Sequence, residues 1–444
     1  MITVYIPDNF VPERSYAVKT LLQHYCGVEI EIIPSAHRED YELAWDDKSI
    51  IIRDHFFGKI TEGETYLDSK NIPDKIVSTQ VIGLDHILLL YGDEHLEISH
   101  DNIVCHADLF AGAFFMLTRW EEAVIPDKDL HGRFPASKAL VVKSGFILRP
   151  IIDEYISLLR YWLLTLGYPV SPDTAEYKVV PTCDVDTPYY WRSGPLWRIL
   201  VGRLRRDPNP IHLIKVMKEF RSVRKGEKQD PYDTFDYIMN LAEGAGKQFQ
   251  FNMIGGGNTH FEGNYHIGDA HIRSLMQQML TRGHQLGLHP SYASFNNIAM
   301  IQKESEAVSL QSGIPITSSR QHYLRFEIPS TWRCLAAAGI NTDSTLGYAA
   351  EPGFRCGTCK PFPVFDIHQR KELPLIERPL LIMDVSLKKY KNYSIREGIA
   401  LSQKIIDQVK KHNGELVFLW HNSSLSDEDG WTGWAEVLEF LVSA

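Results

Sequence analysis

Carboxylates, imidazoles and one guanidinium gather at the ends of short apolar runs in the second half of this 444-residue chain. Thr182-Cys-Asp-Val-Asp-Thr-Pro188 sets Asp184 and Asp186 two positions apart. Side chains at that spacing share one face of a strand, and a turn at the strand's end can aim both at one site. Such a pair suits a division of labour, one carboxylate binding a cation while the other moves a proton. Gly283-His-Gln-Leu-Gly-Leu-His289 delivers His289 to the end of the next run, where a neutral imidazole is a good metal ligand. His284, ahead of that run, reads as a helix-terminal residue. Ser319-Arg-Gln-His-Tyr323 brings Arg320 and His322 to a further strand end. Arg320 paired with Asp184 would favour the ionised carboxylate. Leu416-Val-Phe-Leu-Trp-His421 closes the last strong run with another histidine.

The elements that must position these residues follow from periodicity. Strand-like runs at 177–183, 248–254, 285–289, 316–321, 340–344, 380–385 and 415–421 alternate with helical patterns at 232–243, 270–282, 298–311, 329–338, 395–411 and 432–441. Seven strands with intervening helices predict an α/β barrel or a doubly wound sheet, with chemistry at the carboxyl ends of the strands. The first third mixes runs at 2–6, 28–33, 50–52 and 81–83 with helices at 14–25 and 108–122, as expected of a small α/β domain. A helix at 153–166 and the turn-rich Gly167-Tyr-Pro-Val-Ser-Pro172 place a boundary near 172, giving units 1–172 and 173–444.

The order Asp, His, Arg/His, His at successive strand ends resembles the polysaccharide deacetylase family, also called carbohydrate esterase family four, over about residues 176–444. Thr182 to Asp186 is similar to its Thr-Phe-Asp-Asp-Gly motif, and Gly283 to His289 to its Gly-His-Glu-Ile-Gly-x-His segment. Arg320-Gln-His-Tyr323 resembles Arg-Pro-Pro-Tyr, Leu419-Trp-His421 resembles Leu-x-His, and residues 341–355 stand where the family has its aspartate motif. Residues 1–172 look like the uncharacterised N-terminal domain of a bacterial branch.

The resemblance implies a distorted seven-stranded (β/α) barrel and hydrolysis of an N-acetyl group from a sugar or glycan precursor by a divalent metal, usually zinc. It implies Asp186 and His289 as metal ligands, Asp184 as general base, Arg320 as its orienter and His421 as general acid. Tyr323, Asp343 and Arg355 are then expected to contact substrate, with Trp420 stacking on a sugar ring. Where the family has a second histidine four residues after the first, this chain has Ala293. Catalytic zinc usually has three protein ligands, and neighbouring strand ends converge, so His322 is expected to be the third.

Composition narrows the partners. With 46 Lys and Arg against 56 Asp and Glu, a formal charge of -10, the chain carries no nucleic-acid signature. Six scattered cysteines, no basic-then-apolar leader and no uninterrupted apolar span lead to the expectation of a cytoplasmic protein without a transmembrane segment. Residues 192–228 depart from the acidic background, with 11 Lys and Arg against 3 acids, and read as a helical insertion. Such a helix pair is either simply solvated or a contact for an anionic lipid surface or phosphorylated substrate. Cys356-Gly-Thr-Cys359 lacks the second half of a zinc ribbon. Two rival readings stay open: a haloacid-dehalogenase-type phosphatase using Asp184 as nucleophile, and a non-catalytic glycan-binding relative, suggested by Ala293.

Overall fold

In the computed structural model, which describes residues 1–81, 84–170, 175–191, 210–257, 259–262, 265–427 and 430–444, strand β1 (Ile2–Pro7) buries Ile2, Val4 and Ile6 on one face. This is the period of two that its apolar spacing dictates. It joins β2 (Ile30–Ser35), β3 (Tyr41–Trp45) and β4 (Lys48–Ile52), while β5 (Val77–Val81) and β6 (Leu84–Leu89) form a separate hairpin. With β7 (Gly92–Ile98) and β8 (Asn102–Ala107) the N-terminal sheet has six strands, in the order β2-β1-β3-β4-β8-β7. Of the expected run at 81–83, residues 82 and 83 lie outside the described residues.

The helix expected at 108–122 is shorter. It spans Leu109–Thr118, opens on Asp108, whose Oδ1 accepts the Ala111 N–H, and is buried on every side. A helix apolar all round must be covered all round, and Phe114 packs on Tyr16 from one region and Phe365 from the other. It stops because Arg119 turns left-handed, with φ 53°, to place its guanidinium on Glu121, Glu122 and Tyr348.

The second sheet contains β9 (Lys178–Val185), β10 (Gln250–Ile254), β11 (Gln285–His289), β12 (Ser318–Ser319), β13 (Thr342–Asp343), β14 (Phe362–Asp366), β15 (Lys371–Glu377), β16 (Ile382–Met383) and β17 (Glu415–Leu419). Its order is β14-β15-β13-β12-β11-β10-β9-β17-β16, and every neighbouring pair is parallel except β14/β15. The stretch 371–383 pairs with β13 through β15 and with β17 through β16. The Arg378 N–H donates to Asp343 O at 2.8 Å and the Leu381 N–H to Val417 O at 3.0 Å, so one continuous path links the two sides of the ladder. All seven expected runs are strands, several shortened to two residues. The hairpin β14/β15 was not among the expected strands, and each of its strands contains a proline. Pro363 lies on the edge strand and Pro374 lies opposite the register break between Pro363 and Phe365, the two settings where a missing N–H is tolerated.

The helices expected after residue 230 form close to their expected bounds, ending with Ala435–Ser443. Ile395–Lys411 begins with a capping box in which Ser394 and Glu397 satisfy each other's backbone N–H groups. One hydrophobic cluster runs from Ile2 to Val442, so the two sheets share a core. The expected boundary at 172 lies outside the described residues, as do 192–209 of the basic segment. The rest of that segment begins as a helix over Pro210–Arg224, and its Val216 and Val223 pack on the buried Trp191. Among the described residues no helix is long and apolar enough to cross a membrane.

Candidate active site

The carboxyl end of β9 sends Val185 into the core and leaves Asp184 and Asp186 on the other face. Asp184 is 2% exposed, and a buried carboxylate needs donors. Its Oδ1 accepts from Asn252 Nδ2 at 2.7 Å and from Arg320 Nη1 at 3.3 Å. Asn252 fits beside β11 only because residue 287 is glycine: a Cβ there would stand 2.2 Å from Asn252 Oδ1. The Arg320 guanidinium is itself anchored on Thr182 Oγ1, the Ser344 carbonyl and Ser344 Oγ, at 2.5, 2.9 and 3.0 Å. Asp184 Oδ2 is left facing His289 Nε2 at 3.8 Å.

His289, at the end of β11, uses Nδ1 to donate to the Arg320 carbonyl at 2.6 Å, which places the lone pair of the neutral ring on Nε2. That Nε2 lies 3.1 Å from Asp186 Oδ1, yet the oxygen has no partner in hydrogen-bonding geometry. Two lone pairs facing each other at this distance require a proton or a cation between them. Burial works against a charge on His289, but the Asp184 and Asp186 carboxylates prevail and raise its pKa. Conversely, burial pushes Asp186 up, and the His322 and His289 imidazoles more than offset it, holding the carboxyl well below its usual range.

His322 follows β12 in a tight turn where Tyr323 and Leu324 both adopt left-handed backbone, φ 61° and 53°. Consecutive non-glycine residues in that region are costly, and such strain concentrates at functional sites. The His322 side chain is buried and neither ring nitrogen has a hydrogen-bond partner. Its Nε2 lies 3.6 Å from Asp186 Oδ1, and its ring centroid is 4.8 Å from that of His289. One ligand atom from each of Asp186, His289 and His322 lies within 4.8 Å of the other two, a set of two nitrogens and one oxygen suited to a borderline divalent cation.

Across this group His421, just past β17, points Nε2 at Asp186 Oδ2, 3.6 Å away. Its Nδ1 donates to Asp384 Oδ1 at 2.9 Å, and Asp384 also accepts the His421 N–H at 2.8 Å. Burial lowers the imidazole's pKa, but the fully buried Asp384 charge, with Asp186 and Asp184 behind it, holds it up at about 10. These groups open onto a cavity of about 270 Å³ walled by Tyr232, Tyr323, Tyr390 and Trp431. The N-terminal region also reaches this cavity through Arg133, which donates to the Tyr323 carbonyl at 2.9 Å and the Tyr390 hydroxyl at 3.2 Å.

The geometry thus brings together Asp184, Asp186, His289, Arg320, His322, Tyr323 and His421. Three residues expected to meet substrate lie elsewhere. Asp343 is buried, accepting from Ser319 Oγ at 2.6 Å and the Thr345 N–H at 3.1 Å. Arg355 is buried on Glu122 and the Gly347 carbonyl. Trp420 alternates away from the cavity into the core, 0% exposed. Sequence reasoning missed Asn252 and Asp384. Each was a polar residue inside or ending an otherwise apolar run, a signal in itself, since a buried strand carries a polar side chain only where a partner awaits. Ala293 is exposed on a short turn and does not line the cavity. His284 accepts the Phe249 N–H at 3.1 Å, a structural role. Cys359 Sγ lies 3.3 Å from Asp153, and burial pushes both the Cys356 and Cys359 thiols up.

Residues 2–167 match the model of a family of unknown function, DUF7033. Comparison with curated proteins gives no match. Among solved structures the chain is similar to a candidate polysaccharide deacetylase from Mycobacterium smegmatis, with 16% identity, 62% of this chain and 86% of that one covered, and a TM-score of 0.40. It is also similar to a family 4 carbohydrate esterase from Streptomyces lividans (11% identity, 61% and 88% covered, TM-score 0.28). A third is the chitin deacetylase of Colletotrichum lindemuthianum (13% identity, 55% and 86% covered, TM-score 0.27).

Proposed function

We propose that the cavity hydrolyses the N-acetyl group of an acetylated sugar with the help of a divalent cation held by Asp186, His289 and His322. The observation that carries this reading is the buried His322, with both ring nitrogens unpartnered, beside an Asp186 oxygen and a His289 nitrogen that face each other at 3.1 Å. A buried polar atom without a partner is costly, and such atoms on Asp186 and His322, converging with the His289 nitrogen, fit a cation. When bound, a cation of the zinc class supplies Lewis-acid polarisation of the acyl carbonyl and a more acidic water.

The chain's own groups do the rest. Asp184, its Oδ1 occupied by Asn252 and Arg320, keeps Oδ2 toward the cavity to take a proton from the attacking water. Arg320 is a positioning residue: it fixes the Asp184 carboxyl. His421 enters the reaction protonated and gives its Nε2 proton to the departing amine. Asp384 orients that ring and keeps it charged, as a carboxylate behind an imidazole does. The aromatic wall offers apolar faces to a sugar ring.

The phosphatase alternative needs an accessible Asp184 nucleophile and leaves the three histidines idle; a carboxylate 2% exposed and held by two donors suits a base better. The non-catalytic alternative rested on Ala293; a cation held by Asp186, His289 and His322 would need no ligand at that position. The test is acetate release from N-acetylated chito-oligosaccharides by the zinc-loaded chain. Release that disappears in Asp184→Asn and in His322→Ala is expected; equal release by these variants and the parent chain would overturn the reading.

A further inference from the structure

The outer face of the N-terminal sheet carries a second set of ligands, far removed in function from the cavity chemistry. In the antiparallel β7/β8 ladder Leu96 faces Cys105 and Glu97 faces Val104. His95 precedes Leu96 and His106 follows Cys105, at the point where the pairing breaks register between Gly92 and Leu96. Alternation along each strand then puts His95, Glu97 and His106 on one face while Ile103, Cys105 and Ala107 are buried on the other. Cross-strand neighbours of this kind have their Cβ atoms roughly 5 Å apart, so their side chains meet.

They do meet. The His95 and His106 ring centroids are 4.6 Å apart. Both Nε2 atoms converge on one oxygen, Glu97 Oε1, at 3.2 Å from His95 and 4.0 Å from His106. The His106 Nε2 is shielded from solvent and has no hydrogen-bond partner. All three donor atoms lie within 4.8 Å of one another. Two imidazole nitrogens and one carboxylate oxygen are again the donor set of a borderline divalent cation.

We propose that His95, Glu97 and His106 form a second divalent-cation site, of zinc-binding character, that cross-links edge strand β7 to β8. Its position gives the cross-link a purpose. β7 is the outermost strand of the sheet, and its pairing with β8 breaks register between Gly92 and Leu96, beside His95. An edge strand with interrupted pairing is prone to slip or to recruit another chain. A cation bridging His95 and His106 restores at that point the connection the backbone ladder loses, with water completing the coordination. The site needs no catalytic role and does not depend on the deacetylase reading.

The experiment is zinc binding by the full chain, by equilibrium dialysis with element analysis, together with thermal melting in zinc and in chelator. In a His289→Ala/His322→Ala background, which removes the cavity site, one zinc per chain is expected to remain and to raise the melting temperature. Adding His95→Ala/His106→Ala should abolish both the bound zinc and the melting shift. Should the background variant fail to fold, His95→Ala/His106→Ala in the otherwise unaltered chain is expected to lose one zinc while acetate release is unchanged. The proposal is overturned if His95→Ala/His106→Ala binds as much zinc as its parent and melts with the same zinc-dependent shift. An unaltered chain whose only zinc is the one removed by His95→Ala/His106→Ala would count against the cavity reading alone.

Discussion

Two of the buried charge clusters among the described residues differ in whether their polar atoms are used up. Where the N-terminal region meets the second sheet, Arg119 donates to Glu121, Glu122 and Tyr348, and Arg355 donates to Glu122 and the Gly347 carbonyl. Glu121 also accepts the Leu140 N–H at 3.0 Å. In the cavity, His322 has no partner at either nitrogen and Asp186 Oδ1 none in hydrogen-bonding geometry. Both clusters bear the cost of desolvating charge. The first offsets it internally and so joins the two regions; the second leaves atoms over, and these are what a ligand would satisfy.

Breaking each cluster should therefore be felt in different measurements. The largest effect is expected in the cavity: Asp184→Asn and His421→Ala should each slow acetate release by about 10²–10⁴-fold, with far-ultraviolet circular dichroism unchanged. At the junction, Glu122→Ala strips Arg355 of its carboxylate and Arg119 of one of two. Urea denaturation should show a loss of about 3–5 kcal/mol, while zinc bound per folded chain is retained. A variant that lost zinc but not stability would erase the distinction between the clusters.

A smaller effect is expected at Asp384. Its charge raises the His421 pKa, so Asp384→Asn should move the alkaline limb of the rate profile to lower pH by roughly one to three units. The same group has a stability signature. A folded-state pKa of about 10 against an ordinary 6.5 means that the His421–Asp384 pair stabilises fully below pH 6.5 and loses that contribution as pH rises through about 10. Urea midpoints measured across that range should decline less in Asp384→Asn than in the parent chain. The smallest effect is expected for Asp343→Asn: Asp343 is hydrogen-bonded to Ser319 and Thr345 away from the cavity, so turnover should be unchanged.

What could be seen in the sequence was the face each strand end presents. Asp184, Asp186, His289, Arg320, His322 and His421 each terminate or follow an apolar run, and the parallel sheet brings such ends together by construction. What could not be seen was which side of a strand end a residue takes. Trp420 and His421 are adjacent, yet one faces the core and the other the cavity. Arg355 was expected at the substrate because it ends the stretch standing in the place of the family's aspartate motif; a long-range partner, Glu122, lies 233 positions away and was beyond any local pattern. The β14/β15 hairpin carries a proline in each strand, and Asn252 was hidden by the habit of treating a buried run as uniformly apolar.

The most direct measurement is an anomalous-difference map from crystals of the chain grown with zinc, collected at the zinc edge. A peak bonded to Asp186, His289 and His322, at roughly 2.0–2.2 Å from each and with Asp184 and His421 on its flanks, is the predicted result. A map from fully zinc-loaded crystals with no peak among these three residues, or with the His322 ring turned away from one, would contradict the proposed site.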